Sequence, residues 1–345
     1  MRIVQIMLSE DFGGAERSFV EISKFLQAVG HTVLAIGSRR SKSLDKLEYA
    51  DIASKRLSCF GTWDIFTIRS IRQSLLAFGP DVIQCHLSRA SHLGGAAGAS
   101  LGIPVVAKTH NLVNPKYYRN VNKIVVTTKA QRNHLFQHGV EPERIRLIPN
   151  FSSIKPTLAK KNPTKEPGCF RIKSLGRFVK KKGFDNLLRA ISFLKARPNW
   201  RVTLSLGGDG PEYFSLRKLV EELDLSQQVE FCGWVENVPQ FLAGADLFVL
   251  PSRDEPFGIV ILEAMASGVP ILATKTQGPM EILDENTGTF TPTDDPKQMA
   301  IDIENLLESD YRHTLATQAI VRFETLYTSE KVCDRYCALF RELVR

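Results

Sequence analysis

Asp246-Leu247-Phe248-Val249-Leu250-Pro251-Ser252-Arg253-Asp254-Glu255-Pro256-Phe257-Gly258-Ile259-Val260-Ile261-Leu262-Glu263-Ala264-Met265-Ala266-Ser267-Gly268-Val269-Pro270-Ile271-Leu272-Ala273 is the stretch that decides the fold. Residues 246–250 read as a strand, Glu255 precedes a turn, Phe257-Gly258 opens a helix, and 269–273 read as a second strand. Both strands are short and nearly all apolar, as strands covered on both faces must be. A strand, a helix and another strand in this order make a parallel α/β unit.

The same alternation extends outward from this unit. Upstream in the same half, strands are predicted at 170–175, 201–206 and 228–232. In the first half they are predicted at 3–8, 32–36, 81–85, 105–108, 123–127 and 145–148, with helices at 16–28, 67–78 and 129–138 between them. Residues 152–168 hold three prolines, four lysines and few apolar groups, which is a linker composition. The expected organisation is therefore a doubly wound parallel sheet in 1–151, a linker at 152–168 and a second doubly wound sheet in 169–328. From about Asp294 the pattern is helical, with a last segment at 329–345. Ligands of such sheets bind outside the carboxyl ends of the strands.

The composition agrees with two domains. The chain has 345 residues, 43% hydrophobic and 24% charged, which excludes a small stapled scaffold, a low-complexity chain and default disorder. The six cysteines are scattered, and Cys85 and Cys232 lie in apolar runs, so buried free thiols are expected. Cys333 and Cys337 are one helical turn apart without further ligands nearby, so no metal site is expected. The first apolar run, from Ile3 to Leu8, is too short for a signal peptide, and no run approaches the roughly 18 to 20 residues of a membrane span. A cytoplasmic protein with peripheral membrane contact is the expectation.

The net charge of +8 is unevenly placed. Residues 1–150 hold 20 Lys and Arg against 11 Asp and Glu, whereas the remainder holds 25 against 26. The excess lies in the first half, at Lys55-Arg56, at Arg69 and Arg72 beside Trp63, Ile65 and Phe66, and at Lys116-Tyr117-Tyr118-Arg119. No zinc-finger spacing or RNA-recognition motif accompanies it, so a nucleic-acid partner is not expected. An anionic substrate, an anionic membrane surface and a plainly solvated basic face all fit.

Several motifs sit at predicted strand ends. Gly13-Gly14 follows the first strand and reads either as a tight turn or as a place where helix-end amides meet a phosphate or a sugar oxygen. Gly176-Arg177 with Lys180-Lys181-Lys182-Gly183 follows the first strand of the second half. Its cations suit a diphosphate, and three of them at a helix start oppose the macrodipole unless an anion is bound. A solvated helix start is the other reading. Gly207-Gly208-Asp209-Gly210 reads as a turn past a strand, and Trp234 either as a structural ring or as part of a surface for a base edge. Glu263 is unusual, because a carboxylate in so apolar a helix is costly unless hydrogen-bonded, and a vicinal diol such as a ribose would satisfy it. No dinucleotide fingerprint or P-loop is present.

The order of these motifs resembles the retaining nucleotide-sugar glycosyltransferases of glycosyltransferase family 4. The resemblance runs from Gly13-Gly14 through Gly176-Arg177, Lys182-Gly183 and Gly208 to Pro211, to the E-x7-E pair Glu255 and Glu263. The wording from Ser252 to Glu263 and Gln277-Gly278-Pro279-Met280-Glu281-Ile282 is similar to members that build lipopolysaccharide core and cell-surface polysaccharide.

It implies the GT-B fold, two Rossmann-like domains facing a central cleft, with the final helix crossing back to the first domain. It also implies roles for individual residues. Arg177 and Lys182 would hold the diphosphate, Glu263 the ribose and Glu255 a donor-sugar hydroxyl. Gly14 and the amides of Phe257, Gly258 and Ile259 would line phosphate and sugar, and Gly13, Val260 and Trp234 complete the candidate donor-binding set. His110 would face the donor sugar. A nucleotide-sugar donor, linked to UDP, GDP or ADP, is the implied partner, and the basic first half adds the expectation of an anionic saccharide or lipid-linked acceptor. No cofactor and no metal are expected, since no D-x-D motif follows a strand. A nucleotide-sugar epimerase or a phosphorylase on the same architecture, and a non-catalytic carbohydrate-binding protein, are the rivals.

Overall fold

The computed structural model describes residues 1–157, 168–195, 197–198 and 200–344. The predicted linker at 152–168 lies outside the described residues from 158 to 167. The chain divides into two compact units, Met1–Phe151 with Ser329–Arg345, and Ser152–Thr328.

The first unit runs β1 (Arg2–Met7), α1 (Gly14–Ala28), β2 (Thr32–Ser38), α2 (Lys42–Glu48), β3 (Ala53–Leu57), α3 (Ile65–Phe78), β4 (Val82–His86), α4 (Leu87–Ala99), β5 (Val105–Lys108), β6 (Lys123–Val126), α5 (Lys129–Gln137) and β7 (Ile145–Leu147). Its sheet has the order β3-β2-β1-β4-β5-β6-β7, all parallel. The order reverses between β1 and β4, and there the loops leaving the two strands diverge to opposite faces and open a crevice.

The second unit repeats the plan with β8 (Cys169–Leu175), α6 (Phe184–Lys195), β9 (Arg201–Gly207), α7 (Tyr213–Glu222), β10 (Val229–Gly233), α8 (Val238–Leu242), β11 (Leu247–Leu250), α9 (Ile259–Ala266), β12 (Ile271–Thr274), α10 (Gln277–Ile282), β13 (Thr289–Thr291), α11 (Pro296–Glu308) and α12 (Tyr311–Leu326). Its order, β10-β9-β8-β11-β12-β13, reverses between β8 and β11. The last helix, α13 (Ser329–Val344), returns to the first unit, where Val332, Cys333, Tyr336 and Phe340 complete the core over Ile3, Met7 and Val106. Its apolar residues recur at three- and four-residue spacing, so one face is buried and the other solvated.

Each sheet is covered on both faces, so the central strands are wholly buried. Edge strands are less completely covered, and of the four only β7 and β10 coincide with predicted strands. β3 and β13 were not predicted: β3 carries Lys55 and Arg56 and is only half covered, so it lacks the apolar run used to find strands. For the same reason Cys232, expected to be a buried thiol, is exposed on the edge strand β10. Cys85, Cys333 and Cys337 are buried as expected, and burial pushes their thiols up from the usual value.

In the basic cluster Lys55-Arg56, the arginine is ion-paired within its own unit. The Arg56 guanidinium donates to Asp45 at 2.6 Å and to Glu48 at 2.8 and 3.1 Å. Lys180–Lys182 form a 3₁₀ turn ahead of α6, closed by Gly183, rather than the first turn of the helix itself.

Candidate active site

The loops leaving β8 and β11 converge at the reversal point of the second sheet. Gly183 adopts a left-handed conformation (φ 65°), and a Cβ there would lie 2.1 Å from the Pro251 carbonyl oxygen. Only glycine lets the lysine turn lie directly on the β11–α9 loop. Arg253 fastens the two. Its backbone N–H donates to Lys181 O at 2.8 Å, and its guanidinium reaches Lys180 O at 2.8 Å and both carboxylate oxygens of Asp185 at 2.7 and 2.8 Å. It also donates to Asp294 at 2.5 Å. The Asp185 hydrogen bonds outweigh burial and hold Arg253 firmly protonated. Burial raises the Asp185 carboxyl, but the Arg253 hydrogen bonds prevail and keep it below the usual carboxylate range.

The outcome of this packing is that Lys182 Nζ donates to the Glu255 carboxylate. Glu255 is 5% exposed, its carbonyl accepts from Gly278 N–H at 2.9 Å, and the Ser252 hydroxyl lies 3.4 Å from its carboxylate. Three residues on, Gly258 caps α9 in a left-handed conformation (φ 94°), where a Cβ would press on Glu255 Cγ at 3.3 Å. The open amides of Ile259 and Val260 at the helix start thus lie on the same loop as the carboxylate. Phe257 is buried, and Glu263 is fully buried about one turn into the helix. Arg177 is exposed past β8. Gly176 N–H donates to Gly207 O at 3.0 Å and Gly208 N–H to Gly233 O at 2.7 Å, which brings the turn after β9 and the exposed Trp234 alongside.

In the first unit, Gly13 caps α1 and its N–H is taken by the Glu16 carboxylate at 3.0 Å, so this predicted phosphate contact already has a protein partner. Gly14 is the first helical residue. His110 lies two residues past β5. Its Nε2 is 3.4 Å from His86 Nδ1, and the rings stack with centroids 5.7 Å apart. His86 Nε2 lies 3.0 Å from Gln5 Oε1, and the Gln5 amide donates to Gln84 at 2.9 Å. Burial first, and then the charge of Lys108, press both histidines well below their ordinary value, so both rings are neutral near pH 7. Lys108 itself is fully buried and donates to the Ser18 hydroxyl at 2.9 Å.

The family model described as "Glycosyl transferases group 1" matches residues 157–322, and "Glycosyltransferase Family 4" matches residues 12–153. The lipopolysaccharide core biosynthesis glycosyltransferase LpsE of Rhizobium meliloti is 30% identical over 98% of each chain. The chain belongs to the family 4 glycosyltransferases. LpsD of the same organism is 29% identical over 99% of this chain and 98% of its own. Among solved structures, a glycosyltransferase from Rickettsia africae covers 100% of this chain and 98% of its own, with a TM-score of 0.86 at 19% identity. HepE of Anabaena in complex with UDP and glucose covers 99% of each chain, with a TM-score of 0.84 at 22% identity. The glycosyltransferase has the GT-B fold, with one Rossmann-like sheet in each unit.

Each unit gathers its own share of the predicted residues. In the second, Arg177, Lys182, Glu255, Phe257, Gly258, Ile259, Val260, Glu263 and Trp234 come from the loops and helix at the carboxyl ends of its strands. In the first, Gly13, Gly14 and His110 lie at the ends of β1 and β5. Sequence reasoning on this glycosyltransferase missed Arg253. Its partners Asp185 and Asp294 are 68 and 41 residues away, and no local pattern links them. Among the described residues, no group of three or more His, Cys, Asp and Glu side chains is gathered as a metal site.

Proposed function

We propose that this glycosyltransferase moves a hexosyl group, with retention and without a metal ion, from a nucleotide-sugar donor to an anionic saccharide or lipid-linked saccharide. The observation that carries the proposal is the Lys182–Glu255 pair, set beside the open start of α9 and the exposed Arg177. Cations and helix-end amides are suited to the charge that grows on a departing diphosphate. Glu255 is positioned for a sugar hydroxyl, and the buried Glu263 for a diol. Double displacement needs two carboxylates about 5 Å apart facing the sugar. Glu255 is instead held by a lysine and Glu263 is enclosed in a helix, which favours front-face substitution with the diphosphate taking the acceptor's proton. HepE, solved with UDP and glucose, supports a nucleotide-sugar donor, and the names of LpsE and LpsD support a place in lipopolysaccharide or surface-polysaccharide assembly.

The acceptor is assigned to the basic first unit. Phe60, in the loop before α3, and Ile65, Phe66 and Leu76 on it are 62–85% exposed, and the three on α3 share its outer face with Arg69 and Arg72. An apolar and cationic face of this kind fits the cytoplasmic face of an anionic bilayer. Among the described residues, no helix is long and apolar enough to cross a membrane.

A thermal-shift panel of uridine, guanosine and adenosine diphosphates and their sugars tests the donor. A ligand at 100 times its dissociation constant adds about 2.7 kcal/mol, and no shift with any of them would overturn the proposal. Loss of transfer on chelation, restored by Mn²⁺, would overturn metal independence. Equal flotation on neutral and anionic liposomes would overturn the membrane contact.

A further inference from the structure

We infer that the amino-terminal unit carries an acceptor site for at least two sugars, with the reactive terminal sugar in a cavity between β1 and β4 and the next one stacked on Trp63. The inference rests on the transferase reading above and adds the residues and the minimum length of the acceptor. A cavity of about 510 Å³ lies at the reversal point of this unit's sheet, in the size range of small-molecule sites. Glu10 and Asp11 line it from the loop after β1, and His86, Leu87 and Arg89 from the end of β4 and the start of α4. Carboxylates and a guanidinium are the groups that hydrogen-bond sugar hydroxyls in pairs.

Two features suggest that the cavity is built rather than incidental. Leu87 has φ 67°, a left-handed conformation that a bulky residue holds only under constraint. That turn lets His86, at the strand end, and Arg89, on the helix, line one space. His86, in the cavity wall, also stacks on His110, the residue assigned to face the donor sugar, so the two assignments meet through one ring contact within this unit.

The second sugar position follows from α4. His92 lies one turn beyond Arg89, and residues three apart share a helix face. The Trp63 ring sits 4.3 Å from His92, and Tyr117 lies 6.4 Å from Trp63 and 6.2 Å from His92. The three rings come from three separate segments. Ser88 and the Tyr118 hydroxyl, 3.2 Å apart, pin the turn bearing Tyr117 to α4. Despite these contacts Trp63 is 67% exposed, so a held aromatic surface faces solvent. The apolar face of a pyranose suits such a ring. Lys116, 4.9 Å from the Tyr117 ring centroid, adds a cation at its rim for an acidic substituent.

The test uses the whole chain and two lipid-free probes, titrated calorimetrically without donor. One is a phosphorylated core oligosaccharide released from lipopolysaccharide by mild acid, and the other is the methyl glycoside of its terminal sugar. Wild type should bind the oligosaccharide about tenfold more tightly than the glycoside, the scale of one ring's stacking and burial. W63A should abolish that advantage, W63F should keep most of it, and R89A should weaken both probes. Unchanged thermal melting of the variants excludes misfolding. Equal oligosaccharide affinity for wild type and W63A would overturn the inference, as would a W63A defect confined to recovery on anionic vesicles, which would make Trp63 a membrane anchor. Nucleoside-diphosphate affinity is measured on the same proteins. Its absence from wild type would sink the donor reading, while these sugar titrations would still decide the acceptor site.

Discussion

Lys108→Met should stabilise the amino-terminal unit at pH 7 and lose that advantage near pH 10.5. Lys108 is 0% exposed on the sheet face covered by α1 and α13, with the Ser18 hydroxyl at 2.9 Å and the Tyr336 ring centroid at 5.5 Å from its Nζ. Burial lowers its pKa from 10.5 to about 7, against a small opposing effect of Cys333. Below pH 7 the folded and unfolded chains both hold the proton, and the folded state bears the full cost of a buried ammonium. Between 7 and 10.5 the unfolded chain binds more proton than the folded one, so stability rises with pH, and above 10.5 the cost is gone. A shift of this size corresponds to at most about 5 kcal/mol. Methionine fills similar space but forfeits a hydrogen bond of about 1 kcal/mol and a cation–ring contact of similar size. A net gain of about 1–4 kcal/mol is expected at pH 7. Hydrogen exchange of the β1 and β5 amides, in wild type and variant at pH 7 and 10.5, reads it for this unit alone. A variant that is less stable at pH 7, or equally stabilised at both values, would refute desolvation as the cause. Removing the Lys108 charge should also move the His86 and His110 titrations upward by NMR, since that charge helps hold both down.

Lys182→Ala should cut turnover by about 10² to 10³, the scale of one preorganised electrostatic group, and near wild-type turnover would remove it from the site. Glu263→Ala should mainly weaken nucleotide binding, and unchanged product inhibition by the nucleoside diphosphate would contradict its ribose role. Gly258→Ala places a side chain in a left-handed position against Glu255 and Ile261. It should cost about 1–2 kcal/mol from the backbone alone, visible as a lower melting temperature together with weaker donor binding. Arg253→Lys cannot reproduce the two-pronged bond to Asp185. It should raise the KM for donor more than it lowers kcat, and an unchanged KM would show that the lysine turn holds its place without the clamp.

The parallel core strands were legible because burial on both faces forces β-branched runs, as at Val105–Lys108, where predicted and observed bounds coincide. β3 and β13 escaped because an edge strand needs no such run. The loops after β8 and β11 were legible where glycine is obligatory: Gly183 and Gly258 are fixed by close contact and positive φ, and such constraints leave a local mark. The Arg253 clamp and the Arg56 pairings left none, because their partners meet only through the fold. The same holds for the Gln84–Gln5–His86 part of the chain that ends at His110: its members lie on β1 and β4 and read in sequence as isolated polar residues within apolar runs.

The return of α13 to the first unit has a consequence for how the protein is made. Synthesis proceeds at about 5–20 residues per second, and domains usually fold in the order they emerge. Here the second unit is complete once Thr328 has left the ribosome, whereas the first still lacks Val332, Tyr336 and Phe340, which close its core. The unit that emerges first therefore finishes last. Until α13 arrives, the nascent chain holds an apolar sheet face exposed around Ile3, Met7 and Val106, and a chain halted before Ser329 would present that face to chaperones rather than bury it.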